Sequence, residues 1–190
     1  MIRGSLFLPV FAGGVCLFLG AIGLPTPVAA EDIKIDYPAL IRAITAVESG
    51  GNPRAVGLAG ERGLMQIKLA TWREITKKEF GERIPFARAF EPELNQQVGQ
   101  AYLQHIASLL EQNKEKINDM FLAVLVASYH CGPNCLEAVG FSTRRLSPQA
   151  REYVERVLNL HGIYSSESKV LVMEMETHPT ADPVTLASAN

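Results

Sequence analysis

Ala46-Val47-Glu48-Ser49-Gly50-Gly51-Asn52-Pro53 decides the reading of this chain, together with Gly63-Leu64-Met65-Gln66-Ile67, which follows soon after it. The first stretch is the end of an apolar helix running into a glycine turn, with a lone carboxylate in the last turn. That helix opens at Asp36-Tyr37-Pro38, a capping carboxylate followed by proline in the first turn. Leu40, Ile41, Ile44 and Val47 then recur at helical spacing, and Gly50-Gly51 and Pro53 stop the helix after about Glu48. A free glutamate titrates near about 4.3 and is ionised at neutral pH. At the end of an apolar helix Glu48 loses water, and the negative end of the helix dipole opposes a further negative charge. Both effects raise its pKa and keep a proton available for general acid chemistry. Taken alone, Glu48 reads better as an ordinary solvated glutamate in a last turn. What separates the two readings is the company it keeps.

Residues 52–62 are glycine-rich and lack a helical period, so they read as a loop or a small irregular sheet. Leu69 to Phe80 reads as a short helix carrying Trp72 and Ile75, and Gly81 to Phe90 as a loop around Pro85. Glu91-Pro92 opens a longer helix whose buried stripe is Leu94, Val98, Tyr102, Ile106, Leu109 and Leu110. Asn118-Asp119 caps a helix from Met120 to about Tyr129 that is apolar on nearly every side and belongs in the middle of the fold. Ser147-Pro148 caps the last clear helix, with Tyr153, Val154, Val157 and Leu158 facing inward. Residues 165–190 carry a brief apolar run from Lys169 to Met175 and are otherwise Thr, Pro, Ala, Ser and Asp. They read as a mostly disordered tail, or one holding a short partner-binding strand.

The ends and the bulk composition set the class. Arg3 precedes an uncharged apolar run from Leu6 to Leu24, then Pro25-Thr26-Pro27 and the small residues Val28-Ala29-Ala30. This is a signal peptide (1–30) cleaved after Ala30, with a retained membrane anchor as the alternative. The remainder suits one domain, 31–164, with the tail after it. With 18 Lys+Arg, 20 Asp+Glu and no basic block, nothing points to nucleic acid. Cleavage removes Cys16 and leaves Cys131 and Cys135 around Gly132-Pro133-Asn134. In an exported protein an even pair reads as a disulfide. Zinc with His130 is the rival, but three crowded ligands with no fourth make a poor site. No metal and no cofactor is expected.

The ordered set of motifs resembles the soluble-type lytic transglycosylases, lysozyme-like enzymes that cut bacterial peptidoglycan. Glu48-Ser49-Gly50-Gly51-Asn52-Pro53 and Gly63-Leu64-Met65-Gln66-Ile67 are similar to two of the family's motifs. Glu91-Pro92-Glu93-Leu94-Asn95 fits its Asp-Pro-x-x-Asn pattern. Ala127-Ser128-Tyr129-His130-Cys131-Gly132-Pro133 resembles its Ala-Tyr-Asn-Ala-Gly-Pro segment, and Tyr153-Val154 the Tyr-Val of its closing helix. The likeness spans about 37–160. It implies an α+β, predominantly α-helical, lysozyme-like fold with a small irregular β region after the catalytic helix.

The resemblance also implies roles. Glu48 is acid first and base second. Gln66 hydrogen-bonds substrate near the cleaved bond, Met65 packs against the site, Tyr129 holds the catalytic carboxyl or the sugar, and Tyr153 lines the same cleft. Ser49 and Asn52 contact substrate or simply cap and shape the turn. The implied reaction cleaves the β-1,4 bond between N-acetylmuramic acid and N-acetylglucosamine and leaves 1,6-anhydro ends. Departures from the pattern are Ala55-Val56-Gly57-Leu58 where a serine is common, Lys68-Leu69 after Ile67, and His130-Cys131 in place of Asn and Ala. The rivals are a hydrolytic muramidase using Glu61 as second carboxylate, and an inactive glycan-binding or scaffold protein. Architecture suggests a periplasmic enzyme on peptidoglycan strands, without stable membrane insertion after cleavage, serving secretion or conjugation machinery.

Overall fold

The computed structural model describes residues 35–177, with side chains described through Val170. The expected leader at 1–30 and the chain's end at 178–190 lie outside the described residues. Among the described residues six α-helices follow one another: α1 (Tyr37–Ser49), α2 (Leu69–Glu79), α3 (Pro92–Glu111), α4 (Phe121–Cys131), α5 (Pro133–Ala138) and α6 (Pro148–Thr177). Short 3-10 turns occupy Phe86–Phe90, Lys114–Lys116 and Thr143–Arg145. Among the described residues no helix is long and apolar enough to cross a membrane.

α1 begins as its sequence dictates. Ala39 N donates to Asp36 Oδ1 at 3.1 Å, and the helix stops at Gly50, which takes the left-handed conformation (φ 61°). Leu40, Ile41 and Ile44 bury one face, and α6 packs along the helix. α4 lies in the middle of the fold, with residues 123–129 all buried between α3, α5 and α6. Its sequence leaves no polar face, and Ser128 satisfies its hydroxyl on Val124 O at 2.8 Å within the helix. The capping role expected of Asp119 is not observed. Its carboxylate accepts from Thr143 N and Thr143 Oγ1, both at 2.7 Å, and so caps the turn before α6 instead of α4.

α6 continues past Tyr164 to Thr177, whereas the composition after that residue suggests a disordered tail from 165. The serines of this stretch bond back onto their own helix: Ser166 Oγ to Ile163 O at 2.7 Å and Ser168 Oγ to Tyr164 O at 3.0 Å. Arg42 of α1 ties this extension down, its guanidinium 4.0 Å from the Tyr164 ring centre and 3.1 Å from Glu167 Oε2.

Between α1 and α2 the chain forms no named strand. The irregular β region consists of two isolated antiparallel bridges, Val56 with Arg62 and Arg62 with Ile67. One buried side chain anchors it from α3. Asn95 of α3 is fully buried, accepts from Met65 N at 2.8 Å, and donates to Ala89 O at 2.8 Å and Arg62 O at 3.0 Å. Gly63 sits against this amide with φ 79°, where a Cβ would run into Ala89 O and Asn95. Trp72 of α2 is equally buried and satisfies its indole N–H on Ile84 O at 2.8 Å.

Candidate active site

The end of α1 faces a cavity of about 480 Å³. Its walls come from the 57–61 loop, residues 66–68, Thr71 of α2, Tyr102 of α3 and residues 129–132 at the α4–α5 junction. Glu48 lines it. Burial pushes the Glu48 carboxyl above the usual carboxylate range, and the nearby Glu61 charge adds to this. A hydrogen bond from Tyr153 and the Lys68 charge oppose the shift without reversing it.

Tyr153 Oη donates to Glu48 Oε1 at 2.7 Å. This hydroxyl arrives from α6, and its ring is stacked on His130, the ring centres 4.0 Å apart and the planes at 20°. Tyr129, expected to hold the carboxyl or the sugar, does something else. Its hydroxyl donates to Met65 O at 2.8 Å, and its ring rests on Tyr102 with centres 5.4 Å apart. Both tyrosines are buried, and burial drives both phenols well above their ordinary pKa, so they act as neutral donors. The two tyrosines thus exchange the expected parts: Tyr153 holds the acid without lining the cavity, and Tyr129 lines the cavity while its hydroxyl holds the backbone beside Gln66.

Other expectations shift as well. Met65 does not line the cavity. It is fully buried, its side chain lies against Gly99 of α3, and its backbone is tied to Asn95 and Tyr129. Ser49 also lies outside the cavity walls. Its Oγ donates to Leu64 O at 2.7 Å and accepts from Gly51 N at 3.2 Å, stitching α1 to the second motif. Asn52 is exposed, and its Oδ1 accepts from Arg54 N at 3.0 Å, a local turn. These three build the site without lining it. Gln66 does line the cavity, in a left-handed backbone conformation (φ 47°). Its amide N–H groups donate to Gly63 O at 2.8 Å and Ala55 O at 3.2 Å, so the carbonyl Oε1, beside Gly57, is the end left for a ligand.

Cys131 and Cys135 are free thiols, in place of the expected disulfide. Gly132 (φ 87°) breaks the chain between α4 and α5, and the Cys131 thiol donates to Gly132 O at 3.7 Å with Cys135 close enough to influence it. Burial first, and Cys135 second, push the Cys131 thiol up to about 12. A thiol kept protonated is a poor nucleophile for disulfide exchange. Among the described residues no His, Cys, Asp or Glu cluster has metal-binding geometry.

Sequence reasoning missed Tyr102 and Thr71 as cavity residues. Tyr102 falls on the core stripe predicted for α3, but its neighbour Leu103 takes that place and is fully buried. Lys68 and His130 stand out in the sequence as departures from a pattern, and both line the cavity.

Fold and site define a lysozyme-like helical domain whose cleft carries a half-buried acid, Glu48, held by Tyr153. The family described as Transglycosylase SLT domain matches residues 27–150, and the chain belongs to that family. It is 37% identical over 134 residues to the endo-type membrane-bound lytic murein transglycosylase A of Cronobacter sakazakii, covering 65% of this chain and 64% of that protein. The Citrobacter koseri protein of the same name is 35% identical over 128 residues, covering 65% of this chain and 58% of the relative. The chain thus spans under two thirds of the length of these relatives. Among solved structures, the fold is similar to the 70 kDa soluble lytic transglycosylase Slt70 of Escherichia coli (TM-score 0.57, 26% identity, 68% of this chain and 22% of that one). It is also similar to an inactive mutant of lytic transglycosylase Slt from Pseudomonas aeruginosa (TM-score 0.57, 24% identity, 69% of this chain and 22% of that one).

Proposed function

We propose that this protein is a peptidoglycan lytic transglycosylase with Glu48 as its single acid and base. The observation that carries the reading is the Glu48 carboxyl itself. It lines the cleft, burial raises its pKa, and a neutral tyrosine aims it at 2.7 Å. Glu48 protonates the oxygen bridging N-acetylmuramic acid and N-acetylglucosamine. The sugar's acetamido oxygen stabilises the developing positive charge at the anomeric carbon. Glu48, now a carboxylate, takes the proton of the C6 hydroxyl, whose oxygen closes on that carbon. The product carries a 1,6-anhydro ring, no water is consumed, and Glu48 ends protonated as it began. An internal hydroxyl held in line competes well against water because of its effective concentration.

One observation favours a hydrolytic variant: Glu61 lines the same cavity, and its charge is felt at Glu48. Against it, Glu61 Oε2 is occupied by Ala59 N at 3.0 Å and Oε1 faces Lys68 at 3.8 Å. Mass analysis of the glycan ends released from purified murein separates the two. Anhydro ends support the transglycosylase, and reducing ends that appear with water uptake overturn it. Binding of glycan without release of either end would make the protein a scaffold.

We further propose that the protein is exported and periplasmic, on the leader-like sequence of residues 1–30, and that it acts beside a secretion or conjugation machine. A pull-down comparing the full chain with one ending at Thr177 tests the machine's use of the last residues, because a cut at Tyr164 would remove part of α6. Equal capture by both removes those residues from the proposal.

A further inference from the structure

Lys68 occupies a position that local structure disfavours. It is the N-cap of α2 with extended backbone (φ −75°, ψ 150°), and it makes no side-chain capping bond. Ser, Thr, Asp and Asn are preferred there because they accept from the first helical N–H groups, which lysine cannot do. Its charge also stands at the positive end of the helix dipole. A residue that breaks a local rule without local compensation marks a site with another use.

That use is visible in the cavity. Among the described residues Lys68 is the only lysine or arginine lining it, opposite two carboxylates, Glu48 and Glu61. Its side chain is 61% exposed, and its Nζ stands 3.8 Å from Glu61 Oε1, beyond hydrogen-bonding distance. An exposed pair at that separation contributes little and releases the ammonium readily. Glu61 keeps the Ala59 N–H at 3.0 Å whether or not Lys68 stays. An anion entering the cleft meets the Glu61 carboxylate, and Lys68, lining the same cavity beside it, is the cation that offsets that charge.

We propose that Lys68 is a specificity-determining residue that pairs with a carboxylate borne by the sugar polymer, selecting strands with acidic substituents over neutral strands of the same backbone. The proposal rests on the glycan-cleaving reading. In murein the carboxylate is that of the lactyl ether or of an attached peptide. A chitin-type strand has the same β-1,4 linkage and acetamido groups and no charge, which makes it the matched control.

Binding is measured by calorimetric titration on Glu48→Gln protein, which neither turns over nor carries the Glu48 charge. The probes are a murein tetrasaccharide with free lactyl carboxylates and the N-acetylglucosamine tetramer. Adding Lys68→Met, which keeps an apolar stem, weakens the acidic probe by about tenfold, the loss of one charge-assisted contact, and leaves the neutral one unchanged. Lys68→Arg retains the preference, and about 1 M salt abolishes it, because the Debye length there is about 3 Å. Equal weakening of both probes, or no weakening of the acidic one, overturns the proposal while leaving the glycan reading intact. Failure of Glu48→Gln protein to bind either probe overturns both.

Discussion

Tyr153 Oη and Glu48 Oε1, from residues 105 positions apart, meet at 2.7 Å, so Glu48, the acid we propose on α1, is held by the helix that closes the domain. The hydroxyl favours the ionised carboxyl, whereas burial disfavours it. The balance leaves the pKa raised. Replacing Tyr153 with Phe keeps the ring against His130 and removes the opposing influence. The expected outcome is a further rise in the Glu48 pKa, seen as an alkaline displacement of the basic limb of the pH–rate profile. Turnover falls by about tenfold or more, because hydrogen bonds to charged groups contribute about 1.5–3 kcal/mol. A profile that does not move would remove Tyr153 from the site.

Glu48→Gln separates catalysis from stability. Turnover drops by at least about a hundredfold, the usual share of a general acid. Stability moves the other way, and its sign follows from the raised pKa. Below the ordinary carboxyl range Glu48 is protonated folded and unfolded, and the variant gains nothing. As pH rises through the folded pKa, the native protein ionises a buried group that the variant lacks. Urea midpoints should therefore coincide near about pH 3 and favour the variant near about pH 8. A variant less stable at the higher pH would contradict the burial argument.

Asn95 is the anchor of the cleft floor. Its replacement by Ala leaves Met65 N, Arg62 O and Ala89 O without their partner. We expect a loss of about 3 kcal/mol or more in urea unfolding, with faster amide exchange at Met65 and in the 62–67 segment. Substitution by Asp still accepts from Met65 N but sets a buried carboxylate against two carbonyl oxygens, and costs at least as much as Ala.

The Cys131 thiol, pushed up to about 12, should resist alkylation in the native protein. Iodoacetamide labelling followed by mass spectrometry should show Cys131 far slower than an unfolded control up to about pH 9. Recovery of a Cys131–Cys135 disulfide from protein purified without reductant would show instead that the pair oxidises after folding.

The local punctuation of the chain is legible in its sequence. Asp36 and Pro38 start α1, Gly50 ends it, Ser147 caps α6, and the largely apolar 123–129 run lies in the middle, because caps, left-handed glycines and hydrophobic periodicity act within a few residues. Glu48 is equally legible as an acid at the end of an apolar helix. Where local chemistry misleads, the deciding partner is remote. Asp119 sits before α4 yet caps the 143–145 turn, and the residues after Tyr164 read as a disordered tail yet continue α6, which Arg42 of α1 holds.

Local chemistry along the chain dictates which helices form, where they stop, and that one carboxyl stands at a helix end beside a glycine-rich segment. Which side chain reaches that carboxyl is a matter of packing. Tyr129 and Tyr153 are both apolar-faced tyrosines on inward helix stripes, and nothing local distinguishes them. The packing of α6 across α1 brings one phenol to Glu48, and the placement of α4 turns the other to Met65 O. Periodicity specifies a face, but a hydrogen bond requires a distance, and that distance is set by how separate helices pack.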